Sequence, residues 1–475
     1  MRRFSLMWSI RWALVGVFVL PLVLLVAARR QINAMPMFAR KYNVDCSTCH
    51  TAIPALNETG YKFRAAGYRM PEEIGKAQER KFELGDYFAG RIQARYDTLV
   101  TNQPNGAPGP NLLPSGAPGP RTTINSFSFQ EFTAYPITGS WGKYFGSMAE
   151  LSFSPEDFME VENAYVRFVK GNPKTFFTAR AGIFHPWEGF GASDRPYSNG
   201  RTLFQTAPIS AKGTAVPYVY QPWGLDEAGF EVGEDIHKLS LRAAVLGGTM
   251  MRWDEEAQSF LPFPAQTGPW KGANQAVAAL GKPYTSIARN TPDFSANATY
   301  LLHPNGGGVS FLYHHGNVDT PTKCVDGTGL GKKNAAGTVC TGADADFTAE
   351  GGAFRNNFDR VALYGSYPVG KRFLPMGGFQ WGRDTNPDLT KFNSRGVFVD
   401  GVVFINQYVT GGVRYDWFHP KVLASNTQWA VTPYVNLAML NGAQVIAEYQ
   451  HRSFQLDPVN HRQNDTLQVR LIFIY

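Results

Sequence analysis

The chain has 475 residues, of which only 17% are charged and 14% aromatic, with 48 Gly, 31 Pro and four Cys. So few charges and so many turn formers are unlike a soluble enzyme, and the lack of a second long apolar stretch after the N-terminus excludes a helical membrane protein. The formal net charge of +7 includes a basic N-terminus and implies no nucleic-acid partner.

Taken from the start, residues 1–34 read as a secretory signal peptide. Arg2, Arg3 and Arg11 precede a run from Trp12 to Ala28 that is apolar throughout apart from one proline, and small residues follow at Ala27, Ala28 and Ala34. The run approaches the length of a membrane span, which leaves a retained anchor as the alternative. Arg29 and Arg30, on the translocated side, oppose that by the positive-inside rule.

The next feature is Cys46-Ser-Thr-Cys49-His50. Cys-x-x-Cys-His is the spacing at which two thiols add to the two vinyl groups of haem while the following imidazole takes an axial position on the iron, so the motif predicts one covalent haem c. A redox-active Cys-x-x-Cys would sit in a βαβ pattern, which is missing, and a zinc site would need a second close Cys/His pair, which is also missing. Export fits haem attachment, which takes place outside the cytoplasm. Met70 is the nearest candidate for the distal ligand; Met35, Met37 and a lumen-facing His314 or His315 are the alternatives.

After His50, Pro54 is expected to open a helix, with Leu56, Gly60 and Phe63 on one face and Gly67 capping its far end. Residues 35–80 are too few for a self-sufficient core around a porphyrin, so walls must come from the remainder of the chain.

Residues 81–475 divide into about sixteen segments of roughly ten residues with period-two alternation, the signature of a transmembrane antiparallel β-barrel. Leu467, Val469, Leu471 and Phe473 alternate with Thr466, Gln468 and Arg470, with Ile472 as an exception. Val413, Tyr415 and Trp417 alternate with Arg414 and Asp416, and Ile92, Ala94 and Tyr96 alternate with Arg91, Gln93, Arg95 and Asp97. The polar sets should face the lumen and the apolar sets lipid, with an aromatic, Tyr475, at the terminus. Short turns are expected at 137–143, 171–174, 234–235, 304–306, 368–371, 406–407 and 441–442, on the periplasmic side. Long extracellular loops are expected near 102–121, 185–226, 250–291 and 319–356. Cys324 and Cys340 share one of these loops and read as a stapling disulfide, and a weak metal contact is the alternative. A soluble β-sandwich or propeller has no reason to show this asymmetry of turns.

Ala34, Met35, Pro36, Met37, Phe38, Ala39 and Arg40, then Cys46, Cys49 and His50, then Pro54, Leu56, Gly60, Phe63, Gly67 and Tyr68 together resemble the head of the outer-membrane monohaem cytochrome-porin fusions of iron-oxidising bacteria. The resemblance covers 34–68; beyond that it rests on architecture. It implies an all-β sixteen-stranded barrel with a small helical haem plug, in which electrons from extracellular Fe(II) pass to a periplasmic c-type cytochrome or another carrier. The alternatives are a small-anion diffusion porin with an accessory haem head, and a conduit running outward.

Overall fold

The computed structural model describes residues 36–52, 55–77, 83–102, 121–154, 160–186, 198, 200–206, 227–247, 250–254, 259–263, 292–321, 332–333, 340–341, 353–385, 391–406, 408–419, 427–438, 442–455 and 461–474. The signal peptide, Pro54, Cys324 and the greater part of the long loops lie outside the described residues.

Sixteen antiparallel strands close into one barrel. In chain order they are β1 (Ala89–Asn102), β2 (Arg121–Tyr135, continued after a break by Gly139–Trp141), β3 (Phe145–Phe153), β4 (Glu160–Gly171), β5 (Thr175–Phe184) and β6 (Glu227–Ile236). Next come β7 (Leu239–Leu246), β8 (Asp293–Leu301), β9 (Gly308–Pro321), β10 (Ala353–Ser366) and β11 (Phe373–Thr385). The last are β12 (Lys391–Phe404), β13 (Val409–His419), β14 (Gln428–Ala438), β15 (Ala443–Gln455) and β16 (His461–Ile474). Each strand pairs with its sequence neighbours, and β16 closes on β1 from Gln463 opposite Asn102 to Ile474 opposite Arg91. No barrel strand is left with an unpaired edge, the condition for placing a sheet in hydrocarbon.

The two faces are inverted relative to a water-soluble protein. Phe473, Val413, Tyr415, Ile92 and Tyr96 are exposed on the outside, whereas Arg414, Asp416, Gln93 and Glu448 are buried within. These are the faces that the alternation predicts. Arg360 and Arg414, both 0% exposed, donate to Asp384 at 2.9 Å and Asp416 at 2.7 Å. Arg180 reaches Glu231 at 2.6 Å. The lumen arginines are therefore lining that pairs with carboxylates, each partner offsetting the other's desolvation. Ile446 and Ile472, which interrupt the polar rows, are buried inside as well. An apolar exterior around a charged interior identifies a membrane-spanning barrel.

Connections at one end are short, none longer than six residues, and those at the other include every long one. Two expected turns are displaced: the range 137–143 holds the strand Gly139–Trp141, with the reversal at 142–144, and the other is the turn at 234–235. Glu234 and Asp235 lie within β6, and the chain reverses at His237 and Lys238, with His237 at φ +56°. The acidic pair mimicked a turn, but Asp235 is a lumen residue on the same inward row as Glu231, where it meets Arg242. The loop between β5 and β6 also departs from expectation, because part of it folds back into the barrel. Gly200 and Arg201 accept hydrogen bonds from Arg414 at 2.9 and 3.2 Å, and the Leu203 N–H donates to Asp416 at 3.3 Å. The short helix Leu203–Thr206 then buries Phe204 against Tyr364 and Phe398.

Val399 lies on the outer wall, 57% exposed, within β12. Val399→Arg should cost about 2–4 kcal/mol in urea unfolding from lipid vesicles if this face meets hydrocarbon; an unchanged midpoint would mean that it meets water.

Candidate functional site

The N-terminal segment folds against the short-turn end of the barrel. It begins with helix α1 (Pro36–Tyr42), turns through a 3-10 helix at Cys46–Thr48, and forms a short hairpin in which His50 pairs with Leu56. Helix α2 (Glu58–Ala65) follows. The expected helix is therefore two elements: Leu56 belongs to the hairpin, and only Gly60 and Phe63 are helical. The reason is Asn57, whose extended backbone and side-chain oxygen cap α2 by accepting the Gly60 N–H at 3.0 Å. At the far end Gly67 takes φ +65°, as the capping reading requires.

Asn57 also fixes the motif. Its N–H donates to the Cys49 carbonyl at 2.9 Å, and its Nδ2 donates to the carbonyls of Thr48 at 3.0 Å and Ser47 at 3.3 Å. Gly60 lies so close to the Cys49 carbonyl that any Cβ would collide with it. The Cys-x-x-Cys turn is thus clamped onto the first turn of α2.

Cys46 and Cys49 are half-buried thiols outside any disulfide. Cys49 packs against a cluster of Tyr42, Phe63, Tyr68 and Met70, with Phe38, Val44 and Met148 around it. Phe38 stacks on Tyr68 with centroids 5.1 Å apart, and Phe63 meets both rings edge-on. Met70 is therefore brought beside the motif. Met37 instead packs on Ala89 and Tyr135 of the barrel, and Met35 is outside the described residues. His314 is in the lumen among carboxylates, far along β9 from the short turn. His315, expected to face the lumen, points outward and meets Asp359 at 2.9 Å, because period two sends neighbours to opposite faces. Burial, with Cys46 and Glu72 nearby, pushes the Cys49 thiol up to about 11.

The barrel supplies the missing walls. The Tyr42 hydroxyl donates to the Tyr68 carbonyl at 2.8 Å and lies 2.8 Å from Ser140 Oγ, and the Tyr68 hydroxyl lies 3.1 Å from that of Tyr165. Lys41 donates to the Ser140 carbonyl at 2.8 Å. Arg167, on the inner wall, donates to the Arg64 and Ala65 carbonyls at 2.9 and 3.1 Å and so closes the C-terminus of α2. Gly67 and Gly146 are in backbone contact. The Glu58 N–H donates to Pro304 in the turn between β8 and β9 at 3.0 Å. Arg69, 1% exposed, donates to the Trp141 and Phe145 carbonyls, and burial pulls its pKa down. Tyr68 was marked by the resemblance, without a role; Tyr42 and Asn57 carried no sequence signal beyond the Asn57-Glu58 pairing before a short apolar face, which resembles a cap.

No protein family matches the sequence, and no curated protein matches it. Among solved structures the chain is similar to the outer-membrane channel DcaP of Acinetobacter baumannii (10% identity, 82% of this chain and 96% of that one, TM-score 0.47). It is similar also to the anion-selective porin of Comamonas acidovorans (8%, 82% and 98%, 0.49) and to OprB of Pseudomonas putida (10%, 81% and 94%, 0.46). Likeness at this level says nothing of cargo or cofactor; the barrel stands on its own strand pairing.

Asn57→Ala removes the cap and the clamp together. It should cost about 1 kcal/mol of local stability and speed alkylation of Cys46 and Cys49 in reduced protein while leaving the barrel heat-modifiable on gels; unchanged alkylation would show that the turn holds without Asn57. In protein with both thiols reduced, alkylation of Cys49 should keep rising with pH to about 11, because the thiolate is the reactive form and burial disfavours it. A plateau near pH 9 would contradict this packing.

Proposed function

We propose that this protein is an outer-membrane electron conduit. Cys46 and Cys49 would tether a single haem c and His50 would ligate its iron, and the group would supply the one-electron centre between an extracellular donor, Fe(II), and a periplasmic c-type cytochrome or another carrier. The observation that carries this reading is the Cys-x-x-Cys-His turn clamped beside an aromatic cluster at the short-turn mouth of a membrane barrel. The resemblance of residues 34–68 to the cytochrome-porin fusions agrees with it.

The residues present fit the group. Two thiols at the required spacing sit in one turn with the imidazole next in sequence, and Met70 shares the Cys49 cluster. When bound, haem c supplies a one-electron redox centre. The thiols would tether it, His50 would hold its iron, and Phe38, Tyr42, Phe63 and Tyr68 would keep water from one side. Met70 is the candidate distal ligand, and a thioether there would raise the potential relative to a second histidine. The backbone of 200–206 bonded to the inner wall and the segment seated at the mouth take up space that a solute path would need, which supports passage of electrons over passage of solutes.

The second reading, a small-anion diffusion porin with an accessory haem head, is favoured by the barrel itself. A membrane barrel with an arginine-lined lumen needs no cofactor for that role.

Anaerobic addition of Fe(II) to the oxidised protein should bring up the sharp α band of ferrous haem c within seconds. Reduction by dithionite but not by Fe(II) would displace the donor or reverse the direction. Absence of haem, with anion conductance in planar bilayers, would establish the diffusion porin.

A further inference from the structure

Away from the N-terminal segment, Glu227, Asp293 and His314 converge inside the barrel. Each offers one donor atom, and these atoms all lie within 4.8 Å of one another. Glu227 is 1% exposed and the other two 0%. Glu227 opens β6 and Asp293 opens β8, at the ends opposite the short turns, and His314 comes up from β9 beside them. The cluster therefore sits toward the long-loop end of the lumen, the end away from the Cys-x-x-Cys-His turn.

Its geometry is that of an inner coordination sphere drawn slightly apart. His314 Nε2 and Asp293 Oδ2 are 3.6 Å apart, close to the ~3.4 Å that separates two donors held ~2.1 Å from one tetrahedral cation. The surroundings hold the donors in place. The His314 ring stacks on Phe358 at 5.8 Å and 15°. A Cβ at Gly316 would stand 2.6 Å from the Asp293 carboxylate carbon, so the glycine leaves the space into which Asp293 turns. Arg360, the ladder partner of His314, donates to Asp384 at 2.9 Å.

We infer that Glu227, Asp293 and His314 form a binding site for a divalent first-row transition-metal cation. Two carboxylates and an imidazole suit Fe(II), Mn(II) or Zn(II). Ca²⁺ and Mg²⁺ take oxygen donors, and Cu(I) takes sulfur. The site stands on this geometry alone. In the conduit reading, and resting on it, the same site seats the donor. Phe184 is the ladder partner of Glu227, Tyr165 meets Phe184 edge-on at 6.3 Å, and the Tyr165 hydroxyl lies 3.1 Å from that of Tyr68. A buried aromatic line thus joins the cation site to the cluster around Cys49. The electron balance is one for one: a seated Fe(II) becomes Fe(III) as one ferric haem becomes ferrous.

The test is an anaerobic titration of the purified, detergent-solubilised full chain with Co(II), followed by its visible absorption, with Mn(II) pulsed EPR on the same preparation. Wild-type protein should bind one Co(II), and bound Mn(II) should show nitrogen coupling from one imidazole. Glu227→Gln and His314→Gln should each weaken binding at least about tenfold, whereas His315→Gln, on the outer face, should change it less than about twofold. Wild-type protein that is heat-modifiable on gels yet binds no Co(II), or bound Mn(II) without nitrogen coupling, overturns the site, and neither observation depends on a variant folding. In haem-loaded protein Glu227→Gln should slow reduction by Fe(II) about tenfold and leave reduction by dithionite unchanged. Equal rates with Fe(II) in variant and wild type would overturn the donor assignment. A preparation without haem would overturn the conduit reading, while the Co(II) titration would still decide the site.

Discussion

Closure of the sheet is the constraint on which the rest depends. A strand edge in hydrocarbon leaves amide and carbonyl groups that nothing can satisfy, at a cost of several kcal/mol each. Pairing of β16 with β1 removes that edge. Once closed, period two decides every other placement: one residue in two meets lipid and must be apolar, and its neighbour meets the lumen and is free to be charged. His314 and His315 show how sharp that division is, one buried among carboxylates and the other turned outward.

The lumen that closure creates is filled by mutually compensating groups. Arginines pair with carboxylates across adjacent strands, and the backbone of 200–206 takes up further donors from Arg414. Such pairs add little net stability compared with apolar packing, but removing one partner leaves an uncompensated buried charge. The interior is in this way locked in arrangement, and the inward fold of 200–206 follows from which lumen residues have hydrogen-bonding capacity to spare.

The N-terminal segment is the reverse case, a sequence too short to enclose a core. Its two helices hold four aromatic rings, yet the hydroxyls of Tyr42 and Tyr68 reach out to Ser140 and Tyr165 of the barrel, and α2 is capped by Arg167 from the wall. Folding of the motif and docking at the mouth are therefore one event. The glycine contacts at Gly67 with Gly146 and at Gly60 with Cys49 allow it, since any side chain there would hold the backbones apart.

The sequence by itself determined the strand number, the closed architecture, the inward and outward faces and the separation of short from long connections, because alternation and turn chemistry are local properties that a lipid solvent reads residue by residue. It also marked Cys46, Cys49 and His50, whose spacing is chemistry in itself. It misplaced the turn at 234–235, since acidic residues serve turns and lumens alike, and it merged Leu56 into a helix because Pro54 and apolar spacing cannot reveal a cap made by Asn57. Only the tertiary structure decided that Met70 rather than Met37 lies beside Cys49, that 200–206 folds inward, and that Glu227, Asp293 and His314 meet. Those outcomes join residues tens to hundreds of positions apart, and the register of a closed barrel, which no local pattern encodes, is what brings them together.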